Sequence, residues 1–363
     1  MSFDYGRTMR VQRILAVTAL VITLGCVAPL ASAHASATPN DPVDLIQSLA
    51  SDLVLPPSEN VTLSHGAGSS AVDDAPGGNI VVTSSEYDAS VDVALSATAT
   101  QKRTDRDGYI TYSSPDEAFS TAIRPTATGA QIFFSAAGVE ELDDMDVSFH
   151  VKSHLQNEDG SLYLFLEDGQ TIFVEKPWAR DSSGADLATH FEIADDSIRQ
   201  IIDEPSRVQF PLVADPAWSY TRDYGIGTTT PGVAKKVLHG CFNCYFPVPG
   251  APRDFPAPGG DLPLYLATMN LHCTFNQERT GPFPDEPTYS FMFDAAEGHV
   301  DGIGSRITFA FFKKPGEGTY TLSVYGYIIN DNPGGLGKSP YLVGATAQWA
   351  IFQHNMTDIS IMS

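Results

Sequence analysis

The sequence predicts a mainly β protein, with two β-sandwich-like domains that follow a signal peptide and a short N-terminal helix. Three observations support this fold class. Short runs rich in β-branched and aromatic residues alternate with turn residues from about residue 79 onwards. The chain of 363 residues is longer than one small core needs and suits two domains. An apolar segment near the N-terminus differs in composition from both β-rich regions.

Residues 1–33 have the three parts of a secretory signal peptide. Three arginines precede the apolar run "ILAVTALVITLGCVAPLASA", whose last residues suit a cleavage site. Two alternatives stay open. An uncleaved membrane anchor is disfavoured by the glycine and proline within this short run. A lipid anchor at Cys26 is the other, and Thr23 stands where such sites favour a bulky aliphatic residue. We therefore expect a secreted, extracellular protein without stable membrane insertion after cleavage.

Residues 38–78 are predicted to form a short helix and a flexible linker. Asp41 is suited to cap the helix and Pro42 to occupy its first position, and apolar residues then recur at helical spacing. Two prolines end this pattern. Residues 61–78, which include "SHGAGSSAVDDAPGG", have the composition typical of a linker.

Residues 79–215 are predicted to form a β-rich module. Apolar residues recur with a period of two in runs such as "NIVVTS", "QIFFSA" and "RVQFPLVAD". The strongest hairpin pattern is "SLYLFLEDGQTIFVE", in which Asp168 and Gly169 suit a tight turn. Asp107 and Gly108 predict another turn, and the acids that an EF-hand would need around them are missing.

The end of this module contains a recurring pattern. Residues 177–218 read "PWARDSSGADLATHFEIADDSIRQIIDEPSRVQFPLVADPAW". This stretch resembles a module of secreted actinobacterial proteins, in which a Pro-Trp-Ala turn leads to a Thr-His-(aromatic)-Glu strand and then to an apolar strand ending in Val-Ala-Asp-Pro. The resemblance implies export from a Gram-positive cell and a boundary near residue 216. It transfers no activity and no catalytic residue.

Residues 216–363 are predicted to form a second, C-terminal β-rich domain. An irregular stretch, "SYTRDYGIGTTTPG", comes near its start. The runs "LYLATMNLHCTF", "TYSFMFDAA", "SRITFAFFKK", "TYTLSVYGYIIN" and "TAQWAIFQHN" are interpreted as strands because β-branched and aromatic residues dominate them.

The charge of the chain disfavours some partners. The net charge is −23, so the protein repels phosphate backbones and nucleic-acid binding is not expected. The sequence has no Walker loop and no dinucleotide fingerprint, and we predict no cofactor. The expected partner is an unknown extracellular or cell-surface ligand.

The stretch "HGCFNCYF" leaves three readings of the cysteines open. An exported chain favours a disulfide, predicted between Cys273 and either Cys241 or Cys244, with one thiol left over. A zinc site formed by these cysteines and His239 is a minor alternative, because a second tight ligand pair is missing. A redox pair is the third alternative. The residues that follow, "YFPVPG", do not predict the helix that such a pair favours.

The stretch "DAAEGHVDGIGS" is the densest polar cluster in the C-terminal region. If the protein is an enzyme, Asp294, His299 and Asp301 within it are the catalytic candidates. An exposed loop between two strands is the favoured interpretation. Ser305 lies outside a GxSxG elbow, and the chain has no HExxH motif.

Two functional hypotheses follow. The first is a non-enzymatic extracellular binding or interaction protein, with no catalytic residue and no metal. The second is an exported hydrolase or toxin-like enzyme with its site in residues 216–363. The first is favoured because no recognised catalytic motif is present, although a fold class by itself assigns no function.

Overall fold

A computed structural model describes residues 41–58, 60–65, 79–96, 102–194, 196–266, 269–282, 287–329 and 338–359. The predicted signal peptide and Cys26 lie outside these residues. The predicted fold class is confirmed: the chain is mainly β, its sheets are antiparallel, and a short helix stands at the N-terminal end of the described residues. No helix within the described ranges is long and apolar enough to cross a membrane.

Helix α1 (Pro42–Ala50) forms where the sequence predicts it. The Asp41 side chain caps the helix by accepting a hydrogen bond from Val43 N. The apolar face, which includes Ile46, packs on the β-rich region against Phe133. Arg106 ties the start of the helix down through ion pairs with Asp41 (2.8 Å) and with a second aspartate in the first turn.

The first β-rich region contains seventeen strands in the described residues, arranged in two sheets. Sheet 1 has the order β1-β2-β3-β8-β15-β14, and sheet 2 has the order β13-β12-β16-β7-β17-β11-β10-β9, with β6, β5 and β4 extending from β7. Their inward side chains form one shared apolar core, in which Trp218 is 1% exposed. The strands are β1 (Val61–His65), β2 (Asn79–Ser84), β3 (Ala89–Leu95), β4 (Lys102–Arg106), β5 (Tyr109–Ser113), β6 (Phe119–Pro125), β7 (Gly129–Ala136), β8 (Asp146–Ser148), β9 (Val151–Gln156), β10 (Leu162–Leu166), β11 (Thr171–Val174), β12 (Trp178–Asp181), β13 (Asp186–Leu187), β14 (Thr189–Ala194), β15 (Ser197–Ile202), β16 (Leu212–Asp215) and β17 (Ala217–Tyr220).

The predicted hairpin turns are present. Leu162 pairs with Val174 across β10 and β11, and Gly169 in the turn has φ 88°. Asp107 and Gly108 both have positive φ in the turn between β4 and β5, as a tight hairpin requires.

One segment predicted as linker is a strand. Residues 61–65 form β1, which pairs along its whole length with β2. Val61 is 2% exposed in the shared core, so apolar burial at this position outweighs the linker-like composition of the residues that follow. Residues 66–78 lie outside the described residues.

In the part of the C-terminal region that the structure describes, one six-stranded sheet has helices against one face. Sheet 3 has the order β18-β23-β22-β21-β20-β19. A second core, rich in phenylalanine, lies between this sheet and the helices. The elements are β18 (Arg222–Gly225), α2 (Pro231–Gly240), α3 (Phe242–Tyr245), β19 (Asp261–Leu266), β20 (Met269–Pro282), β21 (Pro287–Ala295), β22 (Arg306–Lys313), β23 (Tyr320–Tyr327) and α4 (Lys338–Met356).

Two sequence assignments in this region were wrong, and a third was correct as strand but covers two strands. The run "TAQWAIFQHN" is helical and belongs to α4, because Phe352 and Met356, four residues apart, both pack into the second core. The stretch predicted as irregular contains β18 and the start of α2, where Thr230 caps the helix by accepting from Val233 N. The run "LYLATMNLHCTF" spans two paired strands, β19 and β20.

The two β-rich regions belong to one compact unit, residues 38–363. Aromatic side chains from both regions form a third cluster: the rings of Phe173 and Tyr325 stack at 4.0 Å, and the Tyr163 hydroxyl donates to Tyr325 at 3.3 Å. Thr221 alone separates β17, in sheet 2, from β18, in sheet 3. The domain boundary near residue 216 stays a prediction.

Candidate functional site

A partly enclosed pocket of about 120 Å³ lies at one end of sheet 3. Strands β20 to β23 and helix α4 form about half of its wall. Two turns of the first β-rich region complete it: the turn after β2 contributes Glu86 and Tyr87, and the turn after β6 contributes Ala127 and Thr128. Elements from both regions therefore build the site, which is a common location for ligand pockets.

The interior of the pocket is mostly apolar. Phe246, Phe293 and Trp349 contribute aromatic rings, with 5.5 Å between the centroids of Phe246 and Phe293 and 6.2 Å between those of Phe246 and Trp349. Ile307 and Val324 contribute aliphatic side chains from neighbouring strands. Such a surface suits an apolar group of a ligand.

Cys273 lines this apolar interior as a free thiol. Its side chain points from β20 into the second core, where the residue is 3% exposed. Burial raises the pKa of the Cys273 thiol to about 12, and the negative charges of Asp301 and Asp294 add to the rise. The thiol is therefore protonated at neutral pH, and it behaves as a small apolar group rather than as a nucleophile.

The structure brings His299 and Asp301, two of the predicted catalytic candidates, together at the pocket. Their side chains are 8% and 9% exposed, and His299 Nδ1 lies 3.7 Å from a carboxylate oxygen of Asp301. However, His299 Nδ1 accepts a hydrogen bond of 3.0 Å from the backbone N–H of Asp301. The nitrogen nearest the carboxylate therefore carries no proton, which differs from the arrangement of a catalytic His–Asp pair.

The His299 ring is also held neutral. Burial lowers the pKa of His299 from 6.5 to about 4, and the charge of His272 lowers it further. At neutral pH the ring has a proton on Nε2 alone, so it acts as a hydrogen-bond donor there and has no free nitrogen with which to accept a proton.

The Ser305 hydroxyl both donates and accepts a hydrogen bond. The hydroxyl donates to Asp301 O at 2.5 Å and accepts from the backbone N–H of Ile329 at 2.8 Å. The first bond closes the loop between β21 and β22 on itself, and the second joins this loop to the chain after β23. The hydroxyl is therefore a structural group of the loop.

Asp294, the third catalytic candidate, lies beside the pocket rather than in its lining. It accepts from Arg306 Nε at 3.2 Å across the β21–β22 pair, and from the amide of Asn276 at 2.5 Å. Arg306 itself lines the pocket. Asp294 thus positions a guanidinium at the edge of the site.

A second arginine comes from β18. Arg222 lies over the Tyr87 ring at 4.6 Å and donates to the backbone oxygen of Glu86 at 2.8 Å. Both contacts join β18 to the turn after β2. Among the described residues that line the pocket, the guanidiniums of Arg222 and Arg306 are the cationic groups.

The cysteine prediction was wrong in its pairing. The disulfide joins Cys241 to Cys244, and Cys273 is free. The single turn of α3 brings the Cα atoms of Cys241 and Cys244 to 5.3 Å, within the range for a disulfide. Cys273 is instead buried in β20.

The minor zinc alternative is not supported by this arrangement. Two of its ligands are consumed by the disulfide, and His239 bonds to Glu278 at 2.8 Å and stacks on Phe255 at 4.1 Å. Within the described residues, no group of three or more His, Cys, Asp or Glu side chains is placed to hold a metal ion.

Sequence reasoning missed much of the pocket. Tyr87, Arg222 and Trp349 are far apart along the chain, and no local pattern links them. Trp349 was also assigned to a strand. Only the polar loop after β21 carried a recognisable signal, through the density of its polar side chains.

Comparisons with known proteins identify no relative. No family model matches the chain, and no curated protein matches it. Among solved structures, the crystal structure of the di-domain ARO/CYC StfQ from the steffimycin biosynthetic pathway is similar with a TM-score of 0.20 and 7% identity, over 73% of this chain and 87% of that chain. Similarity at this level carries no argument about function.

Proposed function

We propose that this chain is an exported, non-enzymatic binding protein whose pocket takes a small apolar group of an extracellular ligand. The observation that carries the proposal is the mostly apolar, partly enclosed pocket of about 120 Å³ between the two β-rich regions. A cavity of about 150 Å³ with an apolar lining is known to admit benzene, so this volume suits one small ring or a short branched chain.

The polar groups of the pocket support binding rather than catalysis. The Cys273 thiol is protonated, the His299 ring is neutral with Nδ1 occupied, and both sides of the Ser305 hydroxyl are bonded. None of them is prepared to attack a substrate or to accept a proton. The hydrolase alternative therefore has less support than the binding hypothesis.

The rim of the pocket favours a particular kind of ligand. Arg222 and Arg306 place two guanidiniums beside an apolar interior, and a guanidinium binds carboxylate oxygens well. We propose a ligand that joins a small apolar group to an anionic or hydrogen-bond-accepting group.

Binding can be measured with two probes, 4-fluorobenzoate and 4-fluorotoluene, by the broadening of their fluorine NMR signals. We expect broadening of both signals by the protein. Ala345→Phe should abolish it, because Ala345 of α4 lines the pocket. Ala347→Phe is the matched control, since Ala347 lies on the exposed side of the same helix. Equal broadening by the two variants, or none by the natural protein, would refute the proposal.

The anionic preference has its own test. Arg306→Gln should weaken the binding of 4-fluorobenzoate while leaving that of 4-fluorotoluene unchanged, because only the carboxylate interacts with the guanidinium. Far-UV circular dichroism of each variant checks that the fold is retained. Equal weakening for both probes would show that Arg306 acts by shaping the pocket rather than by recognising the carboxylate.

A further inference from the structure

The disulfide between Cys241 and Cys244 lies outside the pocket and has no part in the proposed binding function. It closes a loop with a sequence separation of only three. Loop-closure entropy grows with the length of the closed loop, so this bridge stabilises the fold less than a bridge across a long loop would. The disulfide is therefore not needed to hold distant parts of the chain together.

Hydrogen bonds hold this backbone independently of the sulfur atoms. Cys241 N donates to Val237 O at 3.0 Å, which caps the end of α2. Phe242 N donates to Arg253 O at 2.7 Å, and Phe246 N donates to Phe242 O at 2.8 Å. None of these bonds uses a sulfur atom, so each can persist when the two cysteines are reduced.

Buried aromatic side chains fix the same segment to the core. Phe242 is 0% exposed and Phe246 is 1% exposed, and their rings stack at 4.8 Å. The Phe242 ring also meets the Phe293 ring of β21, in sheet 3, edge-on, with 6.4 Å between the ring centroids. Between these two buried rings, Cys244 is an exposed residue. The segment is therefore expected to keep its shape in both oxidation states.

The two bridged cysteines differ in their exposure to solvent. Cys244 is exposed and Cys241 is partly exposed, whereas Cys273 is buried. A thiolate must approach one sulfur of a disulfide along the S–S axis to exchange with it, so access influences which sulfur reacts. The more exposed residue, Cys244, is therefore the expected point of attack.

We propose that Cys241 and Cys244 form a reversible thiol–disulfide exchange site that reacts with external thiols. A thiolate attacks Cys244 Sγ, the bond between the two cysteines breaks, and Cys241 leaves as a thiolate that takes a proton from water. A second external thiolate then attacks the sulfur of the first external thiol in the mixed disulfide. This releases an external disulfide and leaves Cys244 as a thiol after protonation. Two external thiols are oxidised and one protein disulfide is reduced, a transfer of two electrons.

Differential alkylation tests the proposal on the full exported chain. The protein is first oxidised with glutathione disulfide, then incubated without denaturant in mixtures of reduced and oxidised glutathione, and finally trapped with N-ethylmaleimide for peptide mass analysis. We expect Cys241 and Cys244 to become labelled together as the mixture becomes more reducing, and to lose the label when it becomes more oxidising. Near-UV circular dichroism should stay constant throughout.

Cys273 is the internal control of this experiment. Its pKa of about 12, against the ordinary 9.0, lowers its thiolate fraction about a thousandfold at neutral pH, and burial blocks access as well. It should stay unlabelled until denaturant is added. Labelling of all three cysteines together would mean that reduction requires unfolding, which would overturn the proposal. Persistence of the disulfide in excess reduced glutathione would also overturn it.

Single variants test the assigned order of attack. Cys241→Ser leaves the exposed Cys244, and Cys244→Ser leaves the partly exposed Cys241. We expect Cys241→Ser to form its mixed disulfide with glutathione several-fold faster, because access governs the rate. Equal rates, or the reverse order, would contradict the role given to Cys244. Failure of ligand binding at the pocket would not affect any of these results, so the two proposals are tested separately.

Discussion

At the scale of single residues, burial controls the chemistry of the ionisable groups in this protein. Asp215 ends β16 and is 1% exposed, and burial raises its pKa well above the ordinary 3.8. Its carboxyl accepts a hydrogen bond from the Gln131 amide, which also donates to Leu53 O at 3.0 Å. The buried pair thus links β7 and β16 to the chain after α1.

Replacing Asp215 tests this description. The raised pKa means that the folded protein binds a proton more tightly than the unfolded chain, so stability falls as pH rises above 3.8 towards the folded pKa. Asp215→Asn stays neutral, and we expect it to gain stability relative to the natural protein as pH rises. Urea unfolding at several pH values measures the difference in the free energy of unfolding between the variant and the natural protein. Asp92→Asn, at an exposed position, is the control. A difference in the free energy of unfolding that does not change with pH would contradict the raised pKa.

His299 predicts the opposite pH dependence. Its folded pKa of about 4 lies below the ordinary 6.5, so the unfolded chain binds the proton more tightly. The contribution of His299 to stability is complete above pH 6.5 and decreases by roughly 3 kcal/mol as pH falls towards 4. His299→Asn keeps an acceptor for Asp301 N and should remove this part of the acid sensitivity.

The free energy of urea unfolding, measured between pH 7 and pH 4, compares the natural protein with His299→Asn. His354→Asn is the control, because His354 is exposed on α4. The difference between the natural protein and His299→Asn should change across this pH range, while the difference for His354→Asn should change far less. The same slope for the natural protein and His299→Asn would exclude a buried, neutral ring.

At the scale of elements, tertiary packing decides the identity of α4. Its sequence contains aromatic and β-branched residues, which favour strands. However, Phe352 and Met356 are each 0% exposed against sheet 3, whereas Ile351, one position before Phe352, is 46% exposed. The spacing of four between the buried residues fits a helix that covers the sheet. The second core depends on this helix for one of its walls.

Phe352→Ala should therefore destabilise the protein by about 3–5 kcal/mol, the range for removing a buried phenylalanine. Ile351→Ala, one position earlier on the exposed side of α4, should change the free energy of unfolding by less than about 1 kcal/mol. Urea denaturation followed by far-UV circular dichroism measures both. Similar losses for the two variants would mean that α4 does not pack as described.

Local chemistry explains what the sequence predicts correctly among these elements. The cap at Asp41, the turn at Asp168 and Gly169, and the period-two strands each depend on residues close together in the chain. Failures occurred where distant residues decide the outcome. Burial against sheet 3 makes α4 helical, and core burial of Cys273 removes it from the disulfide. The His299 loop was found by its polar density, whereas the arginines of the pocket come from separate elements.

At the scale of the whole molecule, a third cluster, made of aromatic side chains, joins the cores of the two β-rich regions. Tyr163 and Phe173 from the first region pack against Phe312 and Tyr325 from the second. An ion pair between Arg279 and Asp159 at 2.6 Å accompanies these contacts. Because large apolar side chains are buried between the regions, separating them would expose this surface to water.

We therefore expect the two regions to unfold together. Trp178 and Trp218 report on the first region and Trp349 on the second, so a Trp349→Phe variant and a Trp178→Phe/Trp218→Phe variant monitor the regions separately. In each variant the tryptophan fluorescence and the far-UV circular dichroism should change at the same urea concentration. A fluorescence midpoint that differs from that of the circular dichroism would show independent unfolding.

The passage of the chain from sheet 2 to sheet 3 through Thr221 bears on the resistance of the protein to proteolysis. Extracellular proteases usually cut multidomain proteins in exposed, extended linkers. Here strand pairing continues to Tyr220 and begins again at Arg222, so the backbone between the sheets is almost fully hydrogen-bonded. Proteases would find no such cleavage site at this junction, and the two walls of the pocket would stay on one unbroken chain.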